Sequence, residues 1–321
     1  MVRPLIHVGY QKTGTTWLQK QFFPNSEFGW GAFSRREIEE AFVLPNALDF
    51  DALEVRKRYF PEICRLEAQE RVAVLSCERL CGQPDSGGHD SKEMADRLYS
   101  VFPEARILIV VREQIAMIAA AYKQYVRTGG GCSLERYLMP PERGRNRVLG
   151  FDFAHFQYHR LVSYYQSKFG KDSVLVLPYE LFVRQPAEFA SRILAFADLI
   201  GHDTSDLPFR KKSNESLSAV ALSVKRRLNC FLLEDRAVPN APFAHRTNKD
   251  RLEKAAESLD RILPASVKQT FEASLHDKVK GIVGSRYRKS NQTLCSLTGL
   301  PLSSFGYDLG EAQLELAVKA Q

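Results

Sequence analysis

The residues best suited to chemistry stand near the start of the chain, where an apolar run at 5–8 gives way to Gly9-Tyr10-Gln11-Lys12-Thr13-Gly14-Thr15-Thr16-Trp17-Leu18. A strand, a tight turn and a helix start in succession aim backbone N–H groups and the positive end of a helix dipole at one point, which makes an anion cradle. The spacing from Gly9 to Gly14 equals that of a Walker A loop. A nucleoside triphosphatase, however, carries Lys and then Ser or Thr directly after the second glycine, and Thr15-Thr16 stand there instead. Lys12 precedes Gly14 by two residues instead, so a side chain reaching a bridging oxygen from there would replace the usual Lys and Mg²⁺ arrangement. That order argues against a P-loop kinase or ATPase, the rival enzyme class. A purely structural glycine turn is the plain alternative.

These groups need a scaffold. Four short runs at 5–8, 72–75, 107–111 and 174–177 are rich in Val, Ile and Leu and read as buried parallel strands. Helical spacing lies between them, as in Met94, Leu98 and Phe102 after the capping candidates Asp90 and Ser91. Pro186 opens another helix, whose apolar stripe is Phe189, Ile193, Phe196 and Ala197. Alternating strands and helices predict an α/β fold, a P-loop-like parallel sheet flanked by helices. Beyond about residue 210 the strand-like runs stop and helical patterns at 217–233 and 252–262 form a helical C-terminal elaboration. The expected organisation is one domain over 1–310, with a nucleotide-binding core at 1–210, a mainly helical part at 211–310 and a terminal tail at 311–321. Gly129-Gly130-Gly131 and the proline-containing stretch 236–249 read as loops, each a candidate lid.

Composition bounds the partners. The hydrophobic (44%) and charged (26%) fractions exclude disorder as a reading. The 45 Lys and Arg against 38 acidic residues leave +7, which favours anionic partners, but no dense basic stripe points to nucleic acid. No apolar stretch long enough for a transmembrane segment occurs and the start lacks a signal-peptide pattern, so a cytoplasmic protein is expected. Cys64, Cys77, Cys81, Cys132, Cys230 and Cys295 include no C-x-x-C pair and read as reduced thiols. His155 and His159 are spaced to share a helical face and could begin a zinc site, but no third ligand stands nearby.

The string Gln11-Lys12-Thr13-Gly14-Thr15-Thr16-Trp17-Leu18 resembles the 5′-phosphosulfate-binding loop of the sulfotransferases that use 3′-phosphoadenosine 5′-phosphosulfate (PAPS), and the chain as a whole is similar to the family's bacterial members. Residues 107–112, followed by a helix through Tyr122, resemble the family's 3′-phosphate segment, and Pro178-Tyr179-Glu180 its adenine-side strand end. Asn214-Glu215-Ser216-Leu217-Ser218, Ser290-Asn291 and Gly306-Tyr307 extend the likeness over most of the chain.

The resemblance implies in-line transfer of a sulfuryl group from PAPS to an acceptor hydroxyl or amine, with no metal. Lys12 would neutralise charge on the bridging oxygen, and the N–H groups of Thr13, Gly14, Thr15 and Thr16 with the two hydroxyls of Thr15 and Thr16 would hold the phosphosulfate. Trp17 would stack on adenine, with Tyr179 on the same side; a core aromatic is the alternative for Trp17. Arg112 would take the 3′-phosphate, or else pair with an acidic neighbour. Here the chain departs from the family pattern, having Ala120 for the usual serine and Gln114 for the usual proline. Tyr122, Arg210 and Lys211 are the candidate substitutes. Glu78, at the end of the second apolar strand, would be the general base, with His89 in reserve; an ion pair to Arg79 or Lys12 is the non-catalytic alternative. A glutamate base favours a saccharide acceptor, a glycan or a glycolipid, on analogy with glycan-directed relatives.

Overall fold

Five short strands, β1 (Leu5–His7), β2 (Trp30–Ala32), β3 (Val72–Ser76), β4 (Arg106–Val111) and β5 (Val174–Pro178), pair in parallel in the order β2-β3-β1-β4-β5. The computed structural model describes residues 3–139, 150–199, 201–202, 204, 207, 217–232 and 248–310. Four strands are the apolar runs of the sequence, which lack polar alternation because helices cover both faces of the sheet. Successive side chains nevertheless divide between the faces: Ile107, Ile109 and Val111 join one buried cluster, Leu108 and Val110 the other. The sequence reading missed β2, whose Trp-Gly-Ala has no apolar run; pairing of Trp30 with Val72 makes it a strand.

The helices follow in chain order. Helix α1 (Thr15–Trp17) runs on into a π-helical stretch, Leu18–Phe22. Then come α2 (Arg35–Ile38), α3 (Ala52–Ala68), α4 (Ser91–Val101), α5 (Gln114–Arg127), α6 (Leu134–Leu138), α7 (Tyr158–Phe169), α8 (Tyr179–Arg184) and α9 (Pro186–Phe196). The later part holds α10 (Ala219–Leu232), α11 (Asn248–Ile262), α12 (Ala265–Val283) and α13 (Arg288–Thr298). Trp17, Phe22, Phe189 and Ile193 cover one face of the sheet; α3, α4, α5 and α7 cover the other through Ile63, Leu98, Ile118 and Val162. Each fully buried side chain of this size contributes about 1.5–3 kcal/mol, so packing of these faces fixes where the strands end and where their loops begin. On α9, Phe189 and Ile193 are buried as expected while Phe196 is only half-buried.

Two expectations change. Asp90 and Ser91 precede and open α4, yet neither side chain caps it. The Asp90 carboxylate accepts from Gln83 N at 2.9 Å and pairs with Arg79 at 3.3 Å, while Ser91 Oγ donates to Cys81 O at 2.6 Å. They fasten the loop after β3. The Gly129-Gly130-Gly131 run is likewise not a free lid. Asn229 Nδ2 donates to Val126 O and Gly130 O at 2.9 Å each, Lys225 Nζ to Arg127 O at 2.9 Å, and Arg226 Nη1 to Gly131 O at 3.3 Å. Helix α10 thus satisfies the orphan carbonyls at the end of α5, which a helix C-terminus must place somewhere. Of the second candidate lid, residues 236–247 lie outside the described residues, as does the tail 311–321. Among the described residues no helix is long and apolar enough to cross a membrane.

Candidate functional site

The strand order reverses between β1 and β4, the place where open α/β sheets bind ligands beyond their C-terminal ends. The loop after β1 occupies it. Lys12 (φ 64°) and Gly14 (φ 83°) both take left-handed backbone conformations. At Lys12 that costs about 1–3 kcal/mol, the kind of strain that persists where the surroundings enforce it. At Gly14 an added Cβ would also crowd the Phe182 ring, 3.3 Å away. Thr13 Oγ1 donates to Tyr10 O at 2.5 Å, so its hydroxyl braces the turn. Trp17 N and Leu18 N both donate to Gly14 O, at 3.0 and 3.2 Å. Among the described residues the N–H groups of Gly14, Thr15 and Thr16 then have no acceptor, although Thr15 is only 8% exposed. These are the orphan donors of a helix start, open to a hydrogen-bond acceptor from outside the chain.

The floor of the loop is His7. Its Nδ1 shares a 2.8 Å hydrogen bond with Ser76 Oγ, and burial pushes its pKa down to about 3, so the ring is neutral. A Cβ on Gly9 would meet His7 Nε2 at 2.3 Å, which makes Gly9 a close-approach glycine.

Arg112 follows β4 and closes the crevice from one side. Its Nη1 donates to Lys12 O at 3.0 Å and its guanidinium lies 4.9 Å from the Tyr179 ring centre. Among the described residues no carboxylate is within ion-pair distance of it, so the alternative of an acidic partner is not realised. Glu180 accepts from Glu113 N at 3.0 Å and from Tyr307 Oη at 3.2 Å; burial pushes its carboxyl above the ordinary range, against the pull of these donors and Arg112. Of the substitutes for the serine replaced by Ala120, Tyr122 turns its hydroxyl to Cys132 O at 3.0 Å, while Arg210 and Lys211 lie outside the described residues. Trp17 is 5% exposed and packs on Phe22 at 5.3 Å and Phe182 at 4.9 Å, deep in the core beside the loop.

Glu78 stands beyond β3, on the other side of the loop, and is 9% exposed. The sequence suggested Arg79 or Lys12 as its ion-pair partner; the partner is Arg35, from the first turn of α2, with Nη1 2.7 Å from Oε1. Arg79 instead faces Asp90 and Gln83. Gln19 holds the second oxygen, Nε2 donating to Glu78 Oε2 at 3.1 Å and to Ser76 O at 3.2 Å. Arg35 is itself steadied by Glu39 at 2.8 Å. Each carboxylate oxygen keeps further lone-pair capacity for an incoming hydroxyl. Neither Arg35 nor Gln19 carries a sequence signal for this role, since each reaches Glu78 across more than forty positions of chain. His89 is exposed on the turn after Gly88.

Burial, then the nearby cations Arg127, Lys123 and Arg112, push the Lys12 ammonium below its ordinary pKa, with Glu78 acting in the opposite sense. Among the described residues Lys12 has no ion-pair partner. Four cations thus gather around a loop of unpaired N–H donors. A cavity of about 530 Å³ lies elsewhere, along β2, lined by Phe33, Arg58, Tyr59 and Arg71 among others, and includes no loop residue.

The histidine pair comes apart. His155 belongs to a 3₁₀ turn (Phe153–Phe156) and His159 to α7, because Gln157 (φ −81°, ψ 73°) interrupts the helix between them. His159 Nδ1 meets Ser290 Oγ at 2.8 Å, and the buried His155 ring lies 5.1 Å from that of Tyr10 at a tilt of 55°. No group of three or more His, Cys, Asp or Glu able to hold a metal occurs among the described residues.

Residues 90–203 match the model of the sulfotransferase family, a span that contains Arg112, Tyr179 and Glu180. Over that span the chain is similar to the sulfotransferase family. Lys12 and Glu78 lie outside the matched span. Solved structures to which the chain is similar include a sulfotransferase from Alicyclobacillus acidocaldarius, with 20% identity over 78% of this chain and 100% of the other and a TM-score of 0.47. A sulfotransferase domain from the Synechococcus PCC 7002 olefin synthase has 13% identity over 82% and 98%, TM-score 0.37. One from the curacin biosynthetic pathway has 10% identity over 80% and 98%, TM-score 0.37. No curated protein matches the sequence.

Proposed function

We propose that the protein is a sulfotransferase that uses PAPS as donor and transfers its sulfuryl group to an acceptor hydroxyl, with a saccharide favoured over an amine or another alcohol. The observation that carries this reading is the convergence, at the ends of three neighbouring strands, of the unpaired donor loop with Lys12, of Arg112 and of Glu78. The donor supplies the sulfuryl group on a nucleotide phosphate leaving group. The N–H groups of Gly14, Thr15 and Thr16 hold its phosphosulfate as preorganised dipoles, and Lys12 neutralises charge that develops on the bridging oxygen. Arg112 serves the 3′-phosphate and Tyr179 the adenine side. Glu78, oriented by Arg35 and Gln19, takes the proton as the acceptor oxygen bonds to sulfur. With Lys12 in the metal's place, transfer is expected without a divalent cation.

The test is transfer of radiolabelled sulfur from PAPS, in the presence of a chelator, to a panel of saccharides, alcohols and amines. Label in an acceptor is the expected result. Phosphoryl transfer from ATP that requires Mg²⁺, with no sulfur transfer, would instead make the chain a kinase.

A further inference from the structure

Packing alone gives no reason for a histidine in β1. The neighbours of His7, namely Leu5, Ile6 and Val8, are apolar and, like it, fully buried. Burying an imidazole is unfavourable unless its nitrogens are hydrogen-bonded, and only one of the two is. Nδ1 meets Ser76 Oγ at 2.8 Å, whereas Nε2 has no partner among the described residues. The contacts of the ring lead to both walls of the crevice. On one side Nε2 lies against Gly9, the first residue of the loop, where a Cβ would collide with it. On the other, Ser76 is the register partner of His7 on β3, two residues before Glu78. Ser76 O in turn accepts from Gln19 Nε2 at 3.2 Å, and the same nitrogen donates to Glu78 Oε2 at 3.1 Å. Cys77 N, between Ser76 and Glu78, donates to His7 O at 3.3 Å. Gln19 belongs to the π-helical stretch Leu18–Phe22, a form frequent at functional sites.

We infer that His7 is a positioning residue for the transfer: through Ser76 and Gln19 it sets the place of the Glu78 carboxylate relative to the loop that holds the donor. This rests on the sulfotransfer reading above. Arg35, which holds Oε1 of Glu78, is half-exposed, so water screens its grip. Gln19, which holds Oε2, is anchored on a buried strand end that His7 fastens to β1. A Gly9 C–H stands in the direction of the absent Cβ and faces Nε2. That contact favours a bare lone pair on Nε2 and places the proton on Nδ1, which donates it to Ser76 Oγ. Burial pushes the His7 pKa down to about 3, so the ring stays neutral near neutral pH and the arrangement is fixed there. An error of about 1 Å in placing a reacting group costs on the order of a hundredfold in rate, so a partly loosened support shows in turnover before it shows in binding.

The experiment measures release of 3′-phosphoadenosine 5′-phosphate (PAP) from PAPS with the saccharide panel as acceptor, alongside calorimetric titration with PAP. Ser76→Ala, which removes only the hydroxyl, and His7→Leu, which keeps the volume beneath Gly9, are each expected to lower kcat by about tenfold. KM for PAPS and the affinity for PAP are expected to stay within about twofold of the native values. His7→Asn, whose amide reaches the position of Nδ1, is expected to bring kcat back to within about threefold of the native protein. In a Glu78→Gln background Ser76→Ala is expected to change the residual rate by less than about twofold, because it acts through the carboxylate. A rate loss that persists in full in that background, or that comes with about a tenfold loss of PAP affinity, overturns the inference. So does near-native kcat in Ser76→Ala, which carries the test alone if His7→Leu does not fold. A native protein that releases no PAP overturns the sulfotransfer reading, and this inference with it.

Discussion

Lys12→Ala is expected to lower turnover, measured as PAP release from PAPS with a saccharide panel, by about a hundredfold or more, the usual cost of removing one preorganised group from the site of developing charge. The same substitution should leave the ligand-free protein as stable as before, or more so. The sign follows from the surroundings: burial and three neighbouring cations depress the Lys12 pKa, so the folded state disfavours the charged form relative to the unfolded chain. Below the folded-state pKa that penalty is present in full. It is relieved only as pH rises through the depressed value toward the ordinary one. Removing the ammonium removes the penalty. Thermal unfolding of both proteins separates the two effects, and a Lys12→Ala protein with near-normal turnover would take the lysine out of the chemistry.

Glu78→Gln should bind PAP within about twofold of the native protein and transfer at least about a hundredfold more slowly, because the amide keeps the size and one acceptor but cannot take a proton. Gln19 and Arg35 make this demanding. Both contact the carboxylate, so the neutral side chain leaves Arg35 with Glu39 as its remaining anion. Arg35 is half-exposed, and the weakened pair costs little stability as long as water reaches the guanidinium. A large fall in melting temperature together with a small fall in rate would mark Glu78 as structural. Unchanged transfer with unchanged stability would move the base elsewhere, first to His89, exposed on its turn.

What the sequence could and could not convey follows from range. The loop after β1 was legible because strand, turn and helix start are contiguous, and the glycines at 9 and 14 have local reasons: His7 beneath one, a positive φ at the other. Four strands were legible because burial on both faces leaves continuous apolar runs. Strand β2 was not, since three residues with a central glycine gain their order from β3 alone. Arg35 as the partner of Glu78 was not legible for the same reason, because it arrives from α2 through the fold rather than along the chain. The triple glycine looked mobile until side chains of α10 supplied donors to its carbonyls.

Everything proposed for the crevice between β1 and β4 depends on its being a site for a nucleotide that bears both a 5′- and a 3′-phosphate. Calorimetric titration with PAP, AMP and ATP, without metal, decides this. Micromolar binding of PAP is expected, with AMP and ATP weaker by at least about tenfold, since a phosphate held by Arg112 adds charge-assisted hydrogen bonds of about 1.5–3 kcal/mol. Equal affinity for PAP and AMP, or preference for ATP, would refute it.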